Sequence, residues 1–119
     1  MENSQDIDKD SFEELGFDDF GHEIGAIMLA VKELSEKSES EKKKYIGDLK
    51  KQKTDMSYAV LGFLYLTGAE IEESLSKAAY YFHKGERKGN VFCIYCLAKM
   101  YLEGIGLAKN PKRHLKDIR

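Results

Sequence analysis

The chain has 119 residues, 42% of them apolar and only one of them Pro, which is enough for one domain with a modest core and permits long helices. Seven Tyr, six Phe and no Trp, with Leu, Ala, Lys and Glu favoured over Val and Thr, point to helix. Net charge is −2 and no apolar run reaches membrane-spanning length, so neither a polybasic nucleic-acid binder nor a membrane protein fits.

Residues 1–18 form an acidic segment, expected to be partly disordered, in which Phe12 and Phe17 sit among Asp6, Asp8, Asp10, Glu13, Glu14 and Asp18. A secretory signal needs a basic start and an apolar core, so this opening implies a cytoplasmic protein. Ser11 with Glu14 three residues on is a start signal for a short helix before Gly16. From roughly Asp19 to Glu36 two stripes have helical spacing: Ile24, Met28 and Val31, or Ile27 and Leu34. Ser35 to Ser40 reads as an exposed turn, and a Lys-rich helical segment containing Tyr45 and Ile46 ends near Lys53.

Ser57, Leu61 and Tyr65 then lie four apart, one stripe of a helix that Gly68 ends, because Gly accepts the left-handed conformation of a helix C-terminus. Glu72 to Lys84 places acids at the start and bases at the end of a second helix, closing at Gly89. Its Ala78, Tyr81, Phe82 and the stem of Lys84 can pack back on the first helix. Cys93, Leu97 and Tyr101 open the pattern again, Gly104 ends it, and a short helix is expected from Lys112.

These elements repeat. Ser57, Leu61, Gly62, Tyr65, Gly68 and Ile71 align with Cys93, Leu97, Ala98, Tyr101, Gly104 and Leu107, every pair 36 positions apart. Subtracting the same period from Tyr81 and Phe82 lands on Tyr45 and Ile46, a worn copy of the second helix. The chain therefore reads as one helical-repeat domain over residues 19–119. It comprises a degenerate copy at 19–54, a full copy at 55–90 and a truncated copy at 91–119.

The pattern Ser57, Leu61-Gly62, Tyr65, Gly68, Ile71, Lys77-Ala78, Tyr81-Phe82, Lys84 and Gly89, followed by Cys93, Leu97-Ala98, Tyr101 and Gly104-Ile105-Gly106-Leu107, resembles the Sel-one-like repeats, relatives of the tetratricopeptide solenoids. Glu70 and Gly85-Glu86 depart from that family's second turn glycine and its alanine pair. The resemblance implies an all-α fold, a short right-handed α-solenoid of antiparallel helix pairs. It also implies protein recognition, in particular the role of small family members that act as immunity proteins neutralising a cognate toxin. A regulatory adaptor or scaffold is the alternative within binding. A hydrolase or metal-dependent activity, as described for secreted cousins, is the alternative outside it.

Cys93-x-x-Cys96 has the spacing of redox and zinc motifs, but Cys93 takes the small packed position and no second Cys or His pair follows at finger spacing. His22, His83 and His114 fall on three different helical units. Gly104-Ile105-Gly106 follows a helix instead of a strand, so it reads as a turn and not a phosphate loop. No catalytic, metal-binding or cofactor-binding residue is assigned, no cofactor is expected, and the chain is read as no enzyme.

In a stack of helix pairs the first helices line the concave face. The resemblance places Met56, Ala59, Phe63 and Leu66 there, then Phe92, Tyr95, Lys99 and Leu102. The register carried back adds Phe20, Glu23, Ile27 and Ala30. Most are apolar or aromatic, so the chain's own core, a homodimer contact or a partner protein is expected to cover them. Asp18 and Asp19, with the acidic segment, suit a partner such as a toxin with a basic surface. No membrane is expected as partner, and no nucleic acid, since no basic face interleaved with aromatics is evident in the sequence.

Overall fold

Four of the five helices among the described residues begin at a polar cap. In the computed structural model, which describes residues 20–105, these helices are α1 (Gly21–Ser35), α2 (Glu39–Gln52), α3 (Asp55–Thr67), α4 (Leu75–Arg87) and α5 (Val91–Glu103). Ser38 and Glu41 form a capping box at α2, the Glu41 carboxylate accepting from Ser38 N at 2.8 Å. Those hydrogen bonds from the Ser38 backbone and side chain hold the Glu41 carboxyl below its ordinary pKa. Thr54 and Ser57 exchange the same pair of bonds at α3, while Ser74 and Asn90 accept from the third backbone N–H of α4 and α5. Only α1 starts without one: Phe20, at its N-cap, makes no side-chain cap bond. At the other ends, Gly68 (φ 71°) and Gly104 (φ 68°) take the left-handed conformation and close α3 and α5, as the spacing predicts.

The fold is all-α, and α3 is its centre, packed against each of the other four helices. Its sequence explains why. Apart from Asp55 at its start it carries no charge, and it buries Ser57 through Gly62 without interruption. Helices α3 and α4 form the tightest pair, α4 in turn holds α5, and the first helices α1, α3 and α5 touch in sequence along one side. Leu34, Leu61, Leu64, Phe82, Cys93, Leu97 and Met100 are the innermost side chains. Burying the Phe82 ring alone contributes about 2–3 kcal/mol.

Two glycines set how closely the helices approach. A Cβ at Gly62 would lie 2.5 Å from the Phe82 ring, so the Leu-Gly step of the repeat exists to admit that ring. A Cβ at Gly85 would meet the Cys93 sulfur, so α4 needs glycine where α5 presents a thiol larger than the hydroxyl at Ser57. That contact accounts for the glycine at position 85.

From α2 onward the 36-residue register is matched in packing at several positions, although Tyr65 is buried where Tyr101 is half-buried. Ser57 and Cys93, Leu61 and Leu97, and Leu64 and Met100 are buried in pairs, and Ile46 is buried like Phe82. It fails in α1. The positions that register would bury, Gly25, Met28 and Leu29, are exposed, the last two at 63% and 56%. Instead α1 buries Ile27, Ala30 and Leu34 together with its N-cap Phe20, the Ile27–Leu34 stripe, turned from the repeat register by roughly half a revolution at 3.6 residues per turn.

Candidate functional site

The residues expected to line a concave face divide into two groups. Phe20, Ile27, Ala30, Ala59 and Phe92 are core residues, each 7% exposed or less, and so are closed to a partner by the chain itself. The cause is the turned α1. Its N-cap ring sits 5.3 Å from both Phe92 and Tyr95, edge-on to the first and tilted to the second. Phe63 joins this aromatic cluster at 6.0 Å from Phe92, and Phe63, Leu66 and Tyr95 are left half-buried at its margin. Leu102 and Lys99 stay exposed, Lys99 paired with Glu103 at 3.3 Å. Asp18 and Asp19 lie outside the described residues, as do residues 106–119 with Leu107, His114 and the expected helix from Lys112.

Glu23 also has an internal role. The buried side-chain amide of Asn90 donates to Glu23 Oε2 at 3.1 Å and to Asp55 Oδ2 at 3.0 Å, while its Oδ1 accepts from Cys93 N at 2.8 Å. One amide thus uses both hydrogens and its oxygen to tie the starts of α1, α3 and α5 together. An Asn at a repeat boundary is a cap signal, but its reach to carboxylates 35 and 67 residues away has no local sequence mark.

Cys93 and Cys96 are free thiols, both buried. Burial pushes the Cys93 thiol up, with further push from the charge of Cys96 and the carboxylates of Asp55, Glu23 and Glu86; burial raises Cys96 to about 12. Each is a protonated packing residue, the opposite of the activated thiolate that redox or nucleophilic chemistry requires. His22 is exposed on α1, and His83 joins α4 to α5 through Tyr101 Oη at 3.4 Å and to Glu86 at 3.4 Å. Among the described residues no group of three or more His, Cys, Asp or Glu is placed to hold a metal ion. No described helix is long and apolar enough to cross a membrane.

Two surfaces not marked in the sequence come forward. Between α1 and α2, each closer to α3 than to the other, an apolar cleft of about 190 Å³ opens. Ala26 and Leu29 form one wall, Tyr45 and Leu49 the other, and Met56 and Val60 the floor. Tyr45 is braced there by a hydrogen bond to Glu33, and burial first, then that bond and charge, raises its phenol to about 12. Met56 and the buried Ala30 are the expected face residues that line this cleft.

The second surface corrects an expectation. Basic and aromatic side chains do interleave, because α2, α3 and α4 bring together residues far apart in the chain. Tyr65 and Tyr58 each stack on Tyr81, at 5.9 Å and 6.2 Å, and Tyr80 meets it edge-on. Lys50 and Lys77 lie over the Tyr65 ring, and Lys84 over those of Tyr58 and Tyr80.

Comparison with protein-family models, with curated proteins and with solved structures finds no match to the chain. The repeat register therefore rests on the paired residues themselves, and the fold on the packing just described.

Proposed function

We propose that the chain is a non-enzymatic protein-recognition module, most specifically an immunity protein that binds and neutralises a cognate toxin. The observation that supports recognition is the α1–α2 cleft. It is apolar on both walls, and it carries at its lip Leu29, which is 56% exposed. An isolated exposed apolar residue is ordinary, but Leu29 borders an open apolar floor whose cover would remove that surface from water. An aliphatic or aromatic side chain from a partner fits such a cleft as an anchor. The narrower toxin-neutralising role rests on the resemblance to small family members with that role.

The test is co-expression with a toxin encoded next to the gene. The wild type is expected to restore growth and to co-purify with the toxin, and a Leu29→Glu, Met56→Glu double variant is expected to do neither while remaining helical. Equal protection by both proteins removes the cleft as the binding site. No protection by either, with no complex on co-purification, removes the toxin-neutralising role.

A further inference from the structure

We infer that the lysine–tyrosine strip across α2 and α4 is a docking site for an acidic segment of a partner protein. This deepens the recognition reading above and rests on it. The strip differs from an ordinary solvated charged face in how its cations are held. Among the described residues Lys42 pairs with Glu39 and Glu70, and Lys99 with Glu103. Lys50, Lys77 and Lys84 have no carboxylate partner among the described residues, and all three lie against tyrosine rings at 5.1–5.9 Å. Lys50 also stands beside the Tyr81 hydroxyl, where its charge works against the burial that raises that phenol. A ring face orients an ammonium group without neutralising it, so the strip presents three positioned, uncompensated positive charges.

The geometry selects the ligand. Lys77 and Lys84 are seven residues apart on α4, two turns, or about 10 Å along its axis. Lys50 lies across Tyr65 from α2, at the mouth of an open groove of about 640 Å³ lined by Lys42, Lys43, Tyr65 and Lys77 and edged by Glu72 and Glu73, with Glu39 and Glu70 engaged by Lys42. Discrete carboxylates on a helix or extended segment can meet the three cations while keeping clear of Glu72 and Glu73. A continuous phosphate backbone has no such freedom. For base stacking the strip offers one exposed ring, Tyr80 at 54%. Tyr58 and Tyr65 are 6% and 7% exposed, their rings taken by Tyr81 and by the lysines. An acidic peptide segment is therefore favoured over a single-stranded nucleic acid.

The test uses the full chain and a fluorescein-labelled decaglutamate peptide, with binding read by fluorescence anisotropy at low salt. Lys77→Gln with Lys84→Gln is expected to weaken binding about tenfold or more. Lys32→Gln with Lys99→Gln, which removes the same charge elsewhere, is expected to leave the dissociation constant within about twofold. Replacing Lys77 and Lys84 by Arg keeps the cations over the rings and is expected to keep binding. Equal losses from both Gln pairs would reduce the effect to net charge and overturn the assignment. Tighter binding of a decauridylate than of the peptide would assign the strip to nucleic acid instead. Binding that tightens about tenfold when Asp6, Asp8 and Asp10 become Asn would give it to the chain's own acidic segment. The measurement needs no toxin, so the strip can fail while the cleft stands, and the reverse.

Discussion

Helices α3 and α5 obey one register and α1 does not, although all three occupy the first-helix position of their copies. In α3 and α5 the stripe Ser57, Leu61, Leu64 and its counterpart Cys93, Leu97, Met100 is buried because α4 lies against both. Among the described helices α1 packs closely on α3 alone. With its neighbour α2 held off, nothing rewards burial of Gly25, Met28 and Leu29, and the Phe20, Ile27, Ala30 and Leu34 face wins. A repeat register thus dictates packing only where both helices of a pair are present to enforce it.

The sharpest way to break this contrast is to strike the pair that enforces the register. Phe82→Ala removes the ring that Gly62 admits and leaves a cavity between α3 and α4, so a loss of about 3–5 kcal/mol is expected in urea unfolding. A loss below 1 kcal/mol would mean that the α3–α4 pair is not the centre of the core. Next in size, Gly85→Ala is expected to cost about 1–3 kcal/mol by overpacking against Cys93. Part of that loss should return in a Cys93→Ala background. Strict additivity of the two changes would show that the thiol is not what demands glycine.

The tie between the two regions comes after the core in expected effect. Asn90→Ala removes the α5 cap and the donor shared by Glu23 and Asp55, for an expected loss of about 1–2 kcal/mol. Hydrogen exchange should then quicken in α1 more than in α4, since Glu23 is the α1 end of this link. Uniform acceleration would refute that assignment. A smaller, pH-dependent effect comes from Cys96. Burial raises its folded pKa to about 12 from an ordinary 9.0, so the fold favours the protonated thiol. That contribution is complete below pH 9 and is lost as pH climbs toward 12. Cys96→Ala should therefore move the onset of alkaline unfolding, followed by circular dichroism, to higher pH.

How much could be read from the sequence follows the same division. The spacing of Ser57, Leu61, Tyr65 and Gly68 against Cys93, Leu97, Tyr101 and Gly104 is local and periodic, so it yields the helices, their glycine caps and the buried stripe. Ile46 inherits its place from Phe82 by the same arithmetic. For α1 two stripes were open, and periodicity could not choose between Met28 and Ile27, because the choice depends on α2 standing apart. The candidate site was legible in residue type more than in location. Phe20 and Phe92 were expected on a face and lie in the core, and Asn90 carries a three-helix link with no mark in the sequence. The lysine–tyrosine strip assembles residues from Lys50 to Lys84 across three helices, beyond the range of any helical period.

The smallest expected effect tests the comparison most directly. Leu29 and Tyr65 occupy equivalent positions 36 residues apart, yet Leu29 is 56% exposed and Tyr65 only 7%. If α1 is turned as described, Leu29→Glu places a charge in water and should change stability by less than about 0.5 kcal/mol. If α1 instead followed the register in solution, the same carboxylate would enter the core, and the loss would reach several kcal/mol. The substitution thus reads the rotation of one helix through stability alone, without a partner. It also qualifies the functional test: Leu29→Glu can report on the cleft only if it leaves the fold intact. A neutral stability effect combined with lost binding is the one outcome that assigns the exposed leucine to recognition and not to packing.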